Sequence, residues 1–176
     1  MAKRTPLLIA ATVLLVPALA SAQTTAGGSL ALSGEVDGSI VLIFWQDPAG
    51  YVLAEGASST TVDLGGLSAY GTPNALLANK FTKALDTDGF HVTTPFLLQV
   101  LKANLSSTNY TLTAHLGDND DTVGEVDGVF LSTTPALITS TGPYTTKVQH
   151  ILYAKFPFTK TATSLSDIIT FTATAN

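Results

Sequence analysis

Hydrophobic and polar residues alternate with a period of two along much of the chain, and turn-forming residues interrupt the alternation at short intervals. Residues 110–116 set Tyr110, Leu112, Ala114 and Leu116 against Thr111, Thr113 and His115. Residues 167–175 set Ile169, Phe171, Ala173 and Ala175 against Thr170, Thr172 and Thr174. A period of two is the side-chain period of an extended strand, so each segment has one face for a core and one for water. Residues 29–36 follow the same rule, with Leu30, Leu32 and Val36 on one face, Ala31, Ser33 and Glu35 on the other, and Gly34 weakening the middle. Residues 40–45 are apolar on both faces, which predicts a central strand covered on each side.

The punctuation between these segments is that of an all-β chain. Asp37 with Gly38, residues 47–50 and residues 86–89 read as turns. Residues 51–54, 60–64, 90–94, 96–103, 126–132 and 146–156 read as further strands, with Thr141, Gly142 and Pro143 marking a boundary before the last of these. Thr72 and Pro73 suit the start of a short helix, with Leu77, Phe81 and Leu85 along one face. Roughly nine or ten short strands with at most one short helix predict a two-sheet antiparallel sandwich, Ig-like or jelly-roll.

The first residues carry a different signal. Lys3 and Arg4 precede an apolar run over residues 7–19, broken by Pro17 and followed by Ala20, Ser21 and Ala22. That order is the one of a cleavable secretory signal peptide over residues 1–22, too short to span a bilayer well. Cleavage would leave a small, polar leader over residues 23–28 and a single β-sandwich domain over residues 29–176. The expected location is secreted, extracellular or cell-surface, with no membrane insertion after cleavage.

Composition narrows the chemistry. The signal holds two of the eight basic residues and no acidic one, so the processed chain keeps six against thirteen acidic residues, a net charge of −7. Nucleic acid and anionic membrane are excluded as partners, because both require clustered Lys and Arg. No cysteine occurs, which excludes disulfides, thiolate metal sites and a cysteine nucleophile. Stability then rests on packing, for which fourteen aromatic rings are present.

No catalytic motif stands out: there is no G-x-S-x-G elbow, and His91, His115 and His150 lack zinc-ligand spacing. The sequence predicts a protein that is not an enzyme and has no required cofactor. Asp118, Asp120 and Asp121 are the candidate metal ligands, since Ca²⁺ takes about six to eight oxygens and an acidic loop supplies part of such a shell. The spacing fails the EF-hand pattern at Val123, and a solvated hairpin tip accounts for the loop equally. Trp45, Tyr51 and Tyr70 are candidates for a sugar-stacking platform, with core packing as the competing reading of Trp45. Asn104 and Asn109 each begin a glycosylation acceptor pattern.

Two features bear on assembly. Leu30, Leu32 and Val36 form a short alternating donor strand behind a small-residue leader, and Ile169, Phe171 and Ala173 form a regular acceptor edge. An exposed edge is a template for strand addition by another chain. The donor either pairs at home as a first strand or completes a neighbour's sheet, which gives a head-to-tail polymer.

With these features the chain resembles secreted bacterial fibre subunits of the donor-strand-assembling type. These are the pilus subunits and their spore-coat-like relatives, and the cysteine-free matrix fibre proteins similar to TasA and camelysin. The resemblance covers the signal, the leader with Leu30, Leu32 and Val36, and residues 167–175. It implies a structural or adhesive surface protein whose partner is a second copy of itself. Many pilus subunits carry a disulfide and a tyrosine near the end, and this chain has neither. The alternative is a secreted carbohydrate- or Ca²⁺-dependent binding module whose partner is a surface glycan.

Overall fold

The computed structural model describes residues 33–51, 53–72, 79–117, 123–160 and 167–176. Two units separate along the chain, Met1–Glu35 and Val36–Asn176. Of the first, only residues 33–35 are described; they are exposed and form no strand. The signal, the leader, Leu30, Leu32, Asp118, Asp120, Asp121 and Leu77 lie outside the described residues.

The second unit is all-β, with no helix among the described residues. Among the described residues, nine strands follow in order: β1 Ser39–Trp45, β2 Thr82–Leu85, β3 Gly89–Ala103, β4 Asn109–Leu116, β5 Val123–Val126, β6 Val129–Phe130, β7 Ala136–Pro143, β8 Lys147–Pro157 and β9 Ile169–Ala175. They form two antiparallel sheets, one ordered β1-β3-β8-β5-β6 with β2 also on β3, the other ordered β7-β4-β9. This is the expected two-sheet sandwich. Its core has Leu98, Val100, Leu112, Ala114, Val126 and Leu131 with no exposed surface, and an aromatic trio of Phe44, Phe96 and Phe171 spans the sheets at 5.6 to 6.2 Å between ring centroids.

Several local expectations change. Residues 40–45 become an edge strand, because β1 pairs with β3 on one side only. Its outer apolar face is only partly covered by the described residues: Val41 is 47% exposed, whereas Ile43 and Trp45 are half-buried. Residues 90–94 and 96–103 fuse into the continuous β3 through Pro95. Proline is tolerated there because the neighbour on that side changes from β2, whose ladder stops at Thr93, to β1, whose ladder starts at Leu97. The expected strand over residues 126–132 is split by Asp127 and Gly128, at φ 54° and 78°, which form the tight turn between β5 and β6. Thr141, Gly142 and Pro143 belong to the end of β7 instead of a turn. Gly142 lies against the buried Tyr110 ring, and Pro143 is tolerated on an edge strand.

Residues 53–72 form no strand, yet they cover one end of the core. Val62, Leu64, Leu67 and Ala69 pack on it. The Lys83 ammonium donates to the carbonyls of Ser68 at 2.7 Å and Ala69 at 3.1 Å, and also to that of Gly71. A cation collecting several carbonyls fixes the path of an irregular segment whose backbone has no ladder. Phe81 is buried against Tyr51 and Leu85 lies in β2, so neither sits on the expected helix face.

Candidate functional site

The two sheets meet at two seams. At one, β6 and β7 are joined by residues 131–135, and Leu116 N–H donates to Ser132 O at 2.8 Å. At the other, β1 faces β9 with no ladder between them, and Phe44 meets Phe171 edge to face at 5.7 Å. Both walls of this second seam are sheet edges.

Backbone parity fixes what those edges present. On β9, the Ile168 carbonyl accepts from Gly117 N–H at 2.7 Å, and Asn176 N–H donates to the Asn109 carbonyl at 3.2 Å. Backbone groups of successive strand residues point to opposite sides, so Thr170, Thr172 and Thr174 also address β4. Ile169, Phe171 and Ala173 therefore turn their N–H and C=O away from β4, into the seam. On β1, Phe44 N–H donates outward to Ala57 O at 2.9 Å, and the Phe44 carbonyl accepts from Gly56 N–H at 3.1 Å. Ile40 and Leu42 share that parity and turn the same groups into the seam, with no partner among the described residues.

The side chains of these same five residues face inward. Ile40, Leu42, Ile169, Phe171 and Ala173 are half-buried and pack against the core, whereas Thr170, Thr172 and Thr174 are exposed. Among the described residues, the seam thus offers unpaired backbone on two walls and an apolar floor between them. Gly56 and Ala57 close it at Phe44. Alternation in the sequence marked the core-facing residues of β9, and the edge position of β1 was missed, because an apolar strand of this kind reads as central.

Of the donor residues, Val36 is described: it is 74% exposed and outside any strand. Residues 33–36 therefore do not form the described part of a first strand at home, and Asp37 with Gly38 makes no turn.

The remaining candidates are dispersed. Trp45 lies outside the core cluster: its indole Nε1 donates to Gln99 Oε1 at 2.9 Å, and the Lys147 ammonium sits 3.4 Å from its ring centroid. Tyr51 is a core residue stacked on Phe81, so it is unavailable to a sugar. Tyr70 is 84% exposed and stacks on Phe158 at 6.1 Å. His91 bonds the Asp86 carboxylate, His150 is buried beside Asp127 at 2.6 Å, and His115 lies on β4, so the three histidines do not converge on a common partner.

Beyond the acidic loop, Asp127 is engaged by Ile151 N–H and His150. No group of three or more His, Asp or Glu among the described residues is arranged to hold a metal ion. Asp47 is buried and occupied by Ala49 N–H and Gln149. Asn104 is exposed, and Asn109 is half-buried in β4 with its carbonyl oxygen bound by the Asn176 amide. No family model, curated protein or solved structure matches the chain.

Proposed function

We propose that this chain is a secreted, non-enzymatic structural or adhesive protein of the cell surface, a fibre subunit that polymerises by donor-strand exchange. Residues 29–36 of one copy enter the seam between β1 and β9 of the next. The observation that carries this reading is the parity of the seam: Ile40, Leu42, Ile169, Phe171 and Ala173 have apolar side chains over the core, and their backbone toward the gap has no partner among the described residues. An incoming alternating strand meets both needs, since Leu30, Leu32 and Val36 supply apolar side chains from one face. The contact is heterologous and does not close on itself, so it propagates head to tail. Size-exclusion chromatography with light scattering on the purified chain tests it. Oligomers that grow with concentration and vanish on deletion of residues 23–37 are expected; a monomer indifferent to that deletion contradicts the reading.

The exposed stack of Tyr70 and Phe158 favours a second reading, a module that binds a surface glycan through aromatic faces. Ca²⁺ held by the acidic loop would extend it. Calorimetry against a glycan panel, with and without Ca²⁺, decides it: heat lost in a Tyr70→Ala variant supports the module, and silence across the panel removes it.

A further inference from the structure

The six-stranded sheet has a second face, turned away from the core, and its middle is apolar. Leu98 and Val100 of β3 are fully buried in the core, so Leu97, Gln99 and Leu101 point outward. Opposed residues of an antiparallel pair share a face. Val41, Ile43 and Trp45 of β1 therefore stand beside Leu101, Gln99 and Leu97, and Ile151 of β8 stands beside Pro95. Val41 is 47% exposed and Ile151 39%, whereas Ile43, Leu97 and Leu101 are half-buried. A water-facing sheet surface normally carries polar side chains, and a contiguous apolar one marks a contact surface. At most levels this face is three strands wide, about 14 Å, and β3 runs 15 residues along it, about 50 Å. The roughly 700 Å² that results lies within the about 600–1,000 Å² that each partner of a standard interface covers.

The charges of the face single out its occupant. Lys147 stands at one end of the apolar middle, opposite Gln99, and Glu125 at the other, opposite Tyr153. These two ends of β8 are about 20 Å apart. The Lys147 ammonium is held on the face itself, 3.4 Å from the centroid of the Trp45 ring, and at the margin Lys155 is already paired with Asp88 at 2.8 Å. A two-fold axis crossing the strands midway brings Lys147 of each copy over the Glu125 end of the other, with Leu97, Pro95 and Ile151 at the centre. Such a contact is self-complementary. The chain as a whole carries a net charge of −5, so two copies repel in general, yet across this face they meet with opposite signs. We propose that the outer face of the six-stranded sheet binds the same face of a second copy, forming a two-fold dimer. The contact is separate from the β1–β9 seam, and where the fibre reading holds it pairs filaments side by side.

Sedimentation velocity on the full chain carrying Ala173→Pro tests it, because that change removes a seam-facing amide and leaves the outer face untouched. At about 100 μM this chain should be a dimer that dissociates on dilution. Trp45, the only tryptophan, should shift its emission as it does so. Ile151→Lys, at the centre of the face, should weaken the dimer at least about tenfold, and Val41→Lys should weaken it too. Lys147→Glu should also weaken it, and adding Glu125→Lys to that variant should restore it. A cooperative urea melt reports that each variant is folded. A folded Ala173→Pro chain that stays monomeric overturns the proposal, including one whose Trp45 emission moves only with phosphatidylcholine vesicles or a soluble glucan. Assembly of any size that both Ile151→Lys and Val41→Lys leave unchanged overturns it as well. The fibre reading fails separately: an unaltered chain that stops at the dimer contradicts that reading and upholds this contact. Longer oligomers that Ala173→Pro trims to dimers uphold both.

Discussion

The Tyr51 hydroxyl is buried with no hydrogen-bond partner among the described residues, while its ring stacks on Phe81 at 5.8 Å. Burial first, and the Asp63 carboxylate second, push its pKa from 10.0 up to about 12. The folded form thus holds the proton more tightly than the unfolded chain. Stability from this group is complete below about pH 10 and is lost as pH rises toward 12, at about 1.4 kcal/mol per pH unit within that window. Tyr51→Phe keeps the ring and removes the unpaired hydroxyl. It should leave neutral-pH stability equal or raised by about 1 kcal/mol and flatten part of the alkaline loss, both read from urea melts at pH 8 and pH 11. Asp127 makes the opposite case. Its carboxylate takes Ile151 N–H at 2.8 Å and the buried His150 ring at 2.6 Å. Asp127→Ala orphans both at a positive φ, and a loss of about 2–4 kcal/mol is expected by urea denaturation.

Among the elements, β9 is the one whose sequence and place agree most fully. Its alternation gave the right face to the core, and its place at a sheet edge is set by the topology. What the pattern could not convey is parity against β4, which decides that Ala173 N–H points into the seam and Thr172 N–H into the ladder. That distinction yields a paired test. Ala173→Pro removes a donor unused at home, so the fold should survive, by far-UV circular dichroism, while assembly is lost. Thr172→Pro breaks the β4 ladder and should destabilise the chain by about 3 kcal/mol or more. Equal behaviour of the two variants would reject the parity assignment.

The sequence was less legible at β1, β3 and β7. An apolar strand on an edge resembles a central one, Pro95 sits where β3 changes neighbour, and Gly142 with Pro143 serves Tyr110 and an edge instead of a turn. In each instance the deciding fact is a tertiary neighbour, which local pattern does not encode.

Within the unit Val36–Asn176, the sandwich is joined along one seam, and the other has no ladder among the described residues. Two sheet edges that lie side by side without a strand between them are less stable alone than after strand addition. The assembled form is therefore expected to melt later than the dilute monomer, with a concentration-dependent midpoint. The absence of cysteine from the chain permits a direct geometric test of the central claim, that residues 29–36 of one copy fill the β1–β9 seam of another. One preparation carries Leu32→Cys and a second Phe171→Cys. They are mixed, oxidised and resolved on a non-reducing gel, a bond forming only where the Cα atoms approach within about 7 Å. Disulfide-linked heterodimers, abolished when Ala173→Pro is added to the second preparation, are the expected result. The claim is contradicted if the mixture yields no heterodimer while a single chain carrying both cysteines closes only on itself.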